Sequence, residues 1–154
     1  MKAIGIIPAR MSASRFYGKP LHPILGMPML EHVFIRAKMY KKWRELVVAT
    51  CDKEIKSFCE KKGFPVVMTS SSHRRALDRV AEASNKLSNQ ISMDNLVVCV
   101  QGDEPMLEPS MISKLIVPFK KNKSITATVL AMHITEESIW RNPDTVKIIH
   151  DKNN

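Results

Sequence analysis

No stretch of the chain approaches the roughly 18 consecutive apolar residues that a membrane helix requires. The apolar start, Ile4-Gly5-Ile6-Ile7, breaks after four residues at Pro8-Ala9-Arg10. A membrane span and a recognisable secretion signal are excluded on this reading, and no membrane partner is expected. Cysteine is sparse: Cys51, Cys59 and Cys99 include no CxxC pair, and the five histidines are scattered. That disfavours structural zinc and a disulfide framework, and it fits a reducing cytoplasm. Aromatic residues make up only 6%, and no nucleic-acid reading motif is present, so nucleic acid is not an expected partner. Repeats, low-complexity tracts and interdomain linkers are missing as well.

What remains is close to an average globular composition, with 44% hydrophobic and 25% charged residues in 154, which predicts one domain with one sizeable core. Charge is uneven. Residues 1–79 carry 16 Lys+Arg against six Asp+Glu, whereas residues 80–154 carry eight against nine. The whole excess lies in the first half and suits an anionic partner, although Lys41, Lys42, Lys53, Lys56, Lys61 and Lys62 also read as solvated faces of surface helices.

Short β-branched runs at residues 3–7, 46–49, 66–68, 96–100, 125–132 and 146–149 predict strands. Between them, Leu30, Val33, Phe34 and Ala37 follow a helical stripe, as do Leu77, Val80, Ala81, Ser84 and Leu87, and then Ile112, Leu115, Ile116 and Phe119. Pro118 is expected to interrupt the third helix. Alternating strands and helices imply a three-layer α/β fold: a mainly parallel sheet, helices on both faces, and right-handed crossovers. Ligands then gather at the carboxyl ends of the strands.

Two irregular segments leave those ends. The first, residues 8–28, is long for a loop in a compact domain, which favours a binding function. It reads Pro8-Ala9-Arg10-Met11-Ser12-Ala13-Ser14-Arg15-Phe16-Tyr17-Gly18-Lys19-Pro20-Leu21. Its three cations, glycine and small hydroxyl residues can present N–H groups and positive charge to a polyphosphate, without P-loop or GxGxxG spacing. An ordinary loop with solvated cations is the alternative. The second segment, Gln101-Gly102-Asp103-Glu104-Pro105, puts a carboxylate just beyond a strand. Asp103 beside a triphosphate suits Mg²⁺, which takes one or two carboxylates plus phosphate oxygens and waters; equally, it is ordinary turn chemistry. Glu104 points elsewhere and reads as structural.

Ile6-Ile7-Pro8-Ala9-Arg10 through Gly18-Lys19-Pro20-Leu21, Gly26-Met27-Pro28-Met29 with Glu31-His32-Val33, Val48-Ala49-Thr50, Val100-Gln101-Gly102-Asp103-Glu104-Pro105, and Asn142-Pro143-Asp144-Thr145-Val146-Lys147 together resemble the CMP-KDO synthetases. These are the 3-deoxy-manno-octulosonate cytidylyltransferases, members of the sugar nucleotidyltransferases, with a Rossmann-like nucleotide-diphospho-sugar transferase fold. The resemblance runs along essentially the whole chain. It implies transfer of CMP from CTP to a KDO-type acidic sugar in lipopolysaccharide biosynthesis, with release of pyrophosphate and with Mg²⁺ as cofactor. It further implies that Arg10, Arg15 and Lys19 grip the triphosphate, that Asp103 ligates Mg²⁺, and that Ala9, Gln101 and Gly102 help to form the nucleotide pocket. Positioning and charge neutralisation are what phosphoryl-type transfer needs. Asp78-Arg79 matches the family's nucleotide-side motif, with a surface ion pair or a helix cap as alternatives.

Three departures from the family pattern stand out. The Leu-Pro expected before Gly-Lys-Pro is Phe16-Tyr17, and the His-x-Ser-Gly-Thr-Asp-Arg stretch reads His73-Arg74-Arg75-Ala76-Leu77-Asp78-Arg79. The third is length: the family continues beyond the position of Asn154 with its sugar pocket, its dimer-forming strands and a second metal carboxylate. On that resemblance residues 1–154 are a single nucleotidyltransferase domain that is truncated to its nucleotide-binding half. A homodimer is implied for the full-length family but not for this chain, which is expected to bind Mg-CTP and to turn over KDO poorly. Two other readings are a non-catalytic nucleotide-binding remnant or fragment, and a sugar nucleotidyltransferase of the spore-coat polysaccharide type, to which residues 9–11 and 23–26 are also similar.

Overall fold

A computed structural model describes residues 2–12, 16–87 and 95–149. Strand β1 (Ala3–Ala9) is buried along its whole length, with Ile4, Ile6 and Ile7 fully enclosed. Burial on both faces is the mark of a central parallel strand. It pairs in parallel with β4 (Trp43–Thr50) on one side and β6 (Leu96–Cys99) on the other, and β5 (Val66–Met68) extends the sheet beyond β4. The order is β5-β4-β1-β6. A separate two-stranded hairpin, β2 (Pro23–Ile24) with β3 (Met27–Pro28), turns through Leu25 and Gly26, both at positive φ.

Helices α1 (Met29–Lys38) and α2 (Lys53–Lys62) carry the chain outward from β1 to β4 to β5, and α3 (Ala76–Lys86) carries it back across β1 to β6. Right-handed crossovers in opposite directions place α1 and α2 on one face and α3 on the other. The stripe on α3 delivers Val80, Ala83 and Leu87 onto Ile4, Ile6, Val47 and Ala49. Each large aliphatic side chain so buried contributes about 1.5–3 kcal/mol. On the opposite face Phe34 of α1 stacks on Phe64, ring centroids 3.9 Å apart, just past the Gly63 that ends α2 in left-handed conformation.

The chain divides into two compact units, Met1–Ser113 and Lys114–Asn154, with α4 (Pro109–Lys121) running through the division. The expected break at Pro118 does not occur. A proline removes one main-chain bond, and burial of Ile112, Ile116 and Phe119 holds the stripe in helical register around it. The second unit carries the short α5 (Glu137–Arg141). Its expected strands at residues 125–132 and 146–149 are not formed: both segments run without regular pairing. Val129, Met132, Val146 and Ile149 are largely exposed. A β-branched run becomes a strand only when another strand supplies its ladder and a face to bury against, and neither is present among the described residues.

Candidate nucleotide site

The chain leaves β1 for β4 on one side by way of α1, and only later returns past β1 to place β6 on its other side. Such a reversal opens a crevice at the carboxyl ends of the two strands concerned. Here it is sharpened by Gly102. A side chain at this position would place its Cβ 2.4 Å from the Pro8 carbonyl oxygen, so only glycine lets the β6 exit lie against the end of β1. The Val100 amide donates to Ile6 O at 2.9 Å and carries the pairing to the brink of the turn.

At the β1 exit the chain is tied down by Asp52, whose Oδ2 accepts the Met11 amide at 2.9 Å. The Gly18 amide then donates to Met11 O at 2.9 Å, closing the loop on itself. Gly18, at φ 75°, turns the backbone into a short 3-10 turn, Lys19–Leu21, pinned by the buried Pro20. That geometry aims Lys19 across to the other exit, where its Nζ lies 2.9 Å from Asp103 Oδ2. The pair is half exposed, so as an ion pair it contributes little to stability. Asp103 is at once a turn residue and a cavity residue.

A third element reaches the same place. Arg79, on the first turns of α3, is only 3% exposed, and its guanidinium donates to the Thr69 hydroxyl, to Ser70 O at 3.3 Å and to Cys51 Sγ at 3.4 Å. None of the three acceptors is a carboxylate, and the Cys51 sulfur in turn lies 3.6 Å from Asp52 Oδ2. The loop that runs past it is held by Glu82, which accepts the Ser70 amide at 2.8 Å, bonds His73 Nε2 and pairs with Lys86 at 2.8 Å. Hydrogen bonds from Lys86, the Ser70 amide and His73, in that order, hold the Glu82 carboxyl down at about 2. Burial, together with the neighbouring Glu60 charge, pushes the Cys59 thiol up to about 11, and burial also raises Cys99. Neither thiol is a thiolate at neutral pH.

These elements enclose a cavity of about 200 Å³. Of the residues expected from the sequence, Ala9, Arg10, Lys19, Arg79, Gln101, Gly102 and Asp103 line it. Asp78 is exposed and does not, and Arg15 lies outside the described residues. Pro8, Pro20 and Met29 line it unforeseen, as do His73, Arg74, Arg75 and Ala76. The doubled arginine just ahead of a helical stripe was the available signal for the last group. Among the described residues no three His, Cys, Asp or Glu side chains gather as a metal cage. The donor set nevertheless suits Mg²⁺: Asp103 supplies one accessible carboxylate, and this ion completes its shell with waters and phosphate oxygens.

A mainly parallel sheet with helices around it and a cationic crevice at the strand reversal define an α/β protein of the Rossmann-like kind. A family model described as cytidylyltransferase matches residues 4–154, and the chain belongs to the cytidylyltransferase family. The 3-deoxy-manno-octulosonate cytidylyltransferase of Oleidesulfovibrio alaskensis is 43% identical over 94% of this chain and 57% of its own length. The 8-amino-3,8-dideoxy-manno-octulosonate cytidylyltransferase of Shewanella piezotolerans is 40% identical over 95% of this chain and 59% of its own. Among solved structures, a CMP:2-keto-3-deoxy-manno-octonic acid synthetase complexed with CTP superposes with a TM-score of 0.72 at 33% identity, over 81% of this chain and 50% of that one. The chain thus spans little more than half the length of the curated relatives it matches. No helix among the described residues is long and apolar enough to cross a membrane.

Proposed function

We propose that the chain forms the nucleotide-binding part of a CMP-sugar synthetase, which transfers CMP from CTP to a KDO-type ulosonic acid and releases pyrophosphate. One observation carries this reading: Arg10, Lys19 and Asp103, drawn from two strand exits, converge on one cavity beside Gly102. In the reaction an acceptor hydroxyl oxygen bonds to the α-phosphorus and loses its proton. The bond from that phosphorus to the bridging oxygen breaks, and the electron pair leaves on pyrophosphate. Arg10 and Lys19 offset the charge that gathers on the leaving group, and the fixed backbone at Gln101-Gly102 shapes the nucleotide's seat. Asp103 would hold Mg²⁺, which supplies further neutralisation at the phosphates when bound. Lys19 is then released from Asp103 to meet the phosphates, so the pair observed here is a resting contact. Relatives named for KDO and for its 8-amino analogue support an octulosonate acceptor of either kind. Free cysteines throughout are in keeping with a cytoplasmic setting.

Thermal unfolding with nucleotides tests the proposal. A ligand at ~100 times its dissociation constant stabilises the folded state by about 2.7 kcal/mol, which raises Tm by several degrees in a domain of this size. CTP with Mg²⁺ is expected to give that shift, and ATP and GTP a smaller one. Equal shifts for ATP and CTP would remove the cytidylyl reading and leave a general triphosphate site.

A further inference from the structure

The cavity lies at the carboxyl ends of the strands, and it makes no use of the charge gathered at their amino ends. Parallel pairing sets Ala3 against both Trp43 and Leu96, so Lys2 and residues 41–44 share the amino edge of the sheet. Helix α1 finishes at that edge too, because it delivers the chain to the start of β4. Lys2, Lys38, Lys41, Lys42 and Arg44 are thereby brought to one face of the first unit, and all five are exposed. Among the described residues none of them forms an ion pair. Glu45, the one acid of residues 38–45, is half-buried. A cation in the last turn of a helix complements its dipole, which accounts for Lys38. Lys41 and Lys42 do not belong to a helix surface at all: they lie in the turn between α1 and β4, and folding gives no reason for their charge.

That turn is firmly built. Ala37 O accepts both the Tyr40 amide at 3.1 Å and Trp43 Nε1 at 2.7 Å, and the Tyr40 ring packs edge-on against Trp43, centroids 4.9 Å apart. Met39, between Lys38 and Tyr40, is 52% exposed. We propose that this face docks on an anionic lipid surface. Negative headgroups attract a cluster of basic residues, while the lysine stems and the Met39 side chain lie against the more apolar depth of the interface. A preformed turn meets that surface with little ordering cost. Nucleic acid fits less well, because the two aromatic rings of the turn are packed on each other and do not stand free to stack on a base. Surface docking requires no apolar span, so it is compatible with a chain whose described helices cannot cross a membrane. It also leaves the cavity, at the other end of the strands, open to solution.

Cosedimentation with vesicles of equimolar phosphatidylglycerol and phosphatidylcholine, compared with phosphatidylcholine alone, tests the face. The parent is expected to bind the anionic vesicles and not the neutral ones, and to release as salt rises. Each basic residue close to such a surface contributes about fivefold to partitioning, so Lys41→Gln/Lys42→Gln is expected to bind about 25-fold more weakly, with unchanged thermal unfolding. Lys120→Gln/Lys121→Gln removes the same charge from the exposed end of α4 and is expected to lose far less. Absence of binding to the anionic vesicles, equal binding to both kinds, or equal losses in the two double variants would each overturn the proposal, the last by reducing it to diffuse net charge. Tighter binding of the parent to polyuridylate than to the anionic vesicles, lost in Lys41→Gln/Lys42→Gln, would overturn it in favour of nucleic acid. None of these readouts involves CTP, so a failure of the cytidylyl proposal leaves this one standing.

Discussion

The β1 exit and the start of α3 bring cations into one cavity by opposite means. At the β1 exit Lys19 faces Asp103, and the carboxylate that balances it is also the group suited to Mg²⁺. On the proposed function the charge there is exchangeable: a nucleotide with its metal ion would replace one set of partners by another, at little cost to folding. At the start of α3 Arg79 is sealed in against a hydroxyl, a carbonyl and a thiol, and Arg74 and Arg75 line the same cavity with no carboxylate partner among the described residues. That charge is fixed, and it is maintained by packing and by the Glu82 anchor.

The largest effect is expected where the two strand exits meet. Gly102→Ala sets a methyl group 2.4 Å from a backbone oxygen that cannot rotate away. Overpacking of this kind costs about 1–3 kcal/mol, and the upper end is expected because backbone must shift. Urea denaturation measures it, and an unchanged midpoint would show that the β1 and β6 exits are not rigidly apposed. Next, Lys19→Ala should weaken Mg-CTP binding by about 1.5–3 kcal/mol, roughly tenfold or more. Stability should stay within about 1 kcal/mol because the bridge to Asp103 is half exposed. Full CTP affinity in that variant, measured calorimetrically, would deny the exchangeable role of the β1 exit.

Asp52→Ala removes the acceptor of the Met11 amide and is expected to cost about 1 kcal/mol. Nucleotide affinity should fall with it; an unchanged affinity, measured calorimetrically, would show that the Asp52 tie does not position the β1 exit. The smallest effect concerns Glu82→Gln and is a pH dependence. The Glu82 carboxyl is held at about 2 rather than 4.5, so the folded state favours its ionised form. Its contribution is complete above about 4.5 and is lost as pH falls toward 2. Thermal denaturation across that window should fall less steeply for the variant than for the parent. Identical slopes would show that the carboxylate does not anchor the loop ahead of Arg74.

Legibility differed along the chain for physical reasons. The runs at residues 3–7, 46–49, 66–68 and 96–100 reappear as β1, β4, β5 and β6 within a residue or a few, because a strand buried on both faces is written locally as an apolar β-branched run. The runs at 125–132 and 146–149 looked alike and did not pair, since propensity supplies no partner. Pro118 was read as a breaker, yet α4 passes through it on the strength of its buried side.

The cavity divides in the same way. Arg10, Lys19 and Asp103 were readable because each sits at a strand end within a short motif. Asp52, 41 residues from the Met11 amide it accepts, carried no local signal, and neither did the burial of Arg79 against Cys51, 28 residues away. Arg74 and Arg75 were visible only as unusual residues in a family stretch. The order of apolar runs, helical stripes and strand-end motifs determined the sheet, its covering helices and the loops that line the cavity. Only the tertiary structure decided which charges are balanced and which are stranded, because charge compensation depends on distances between segments that sequence spacing leaves free.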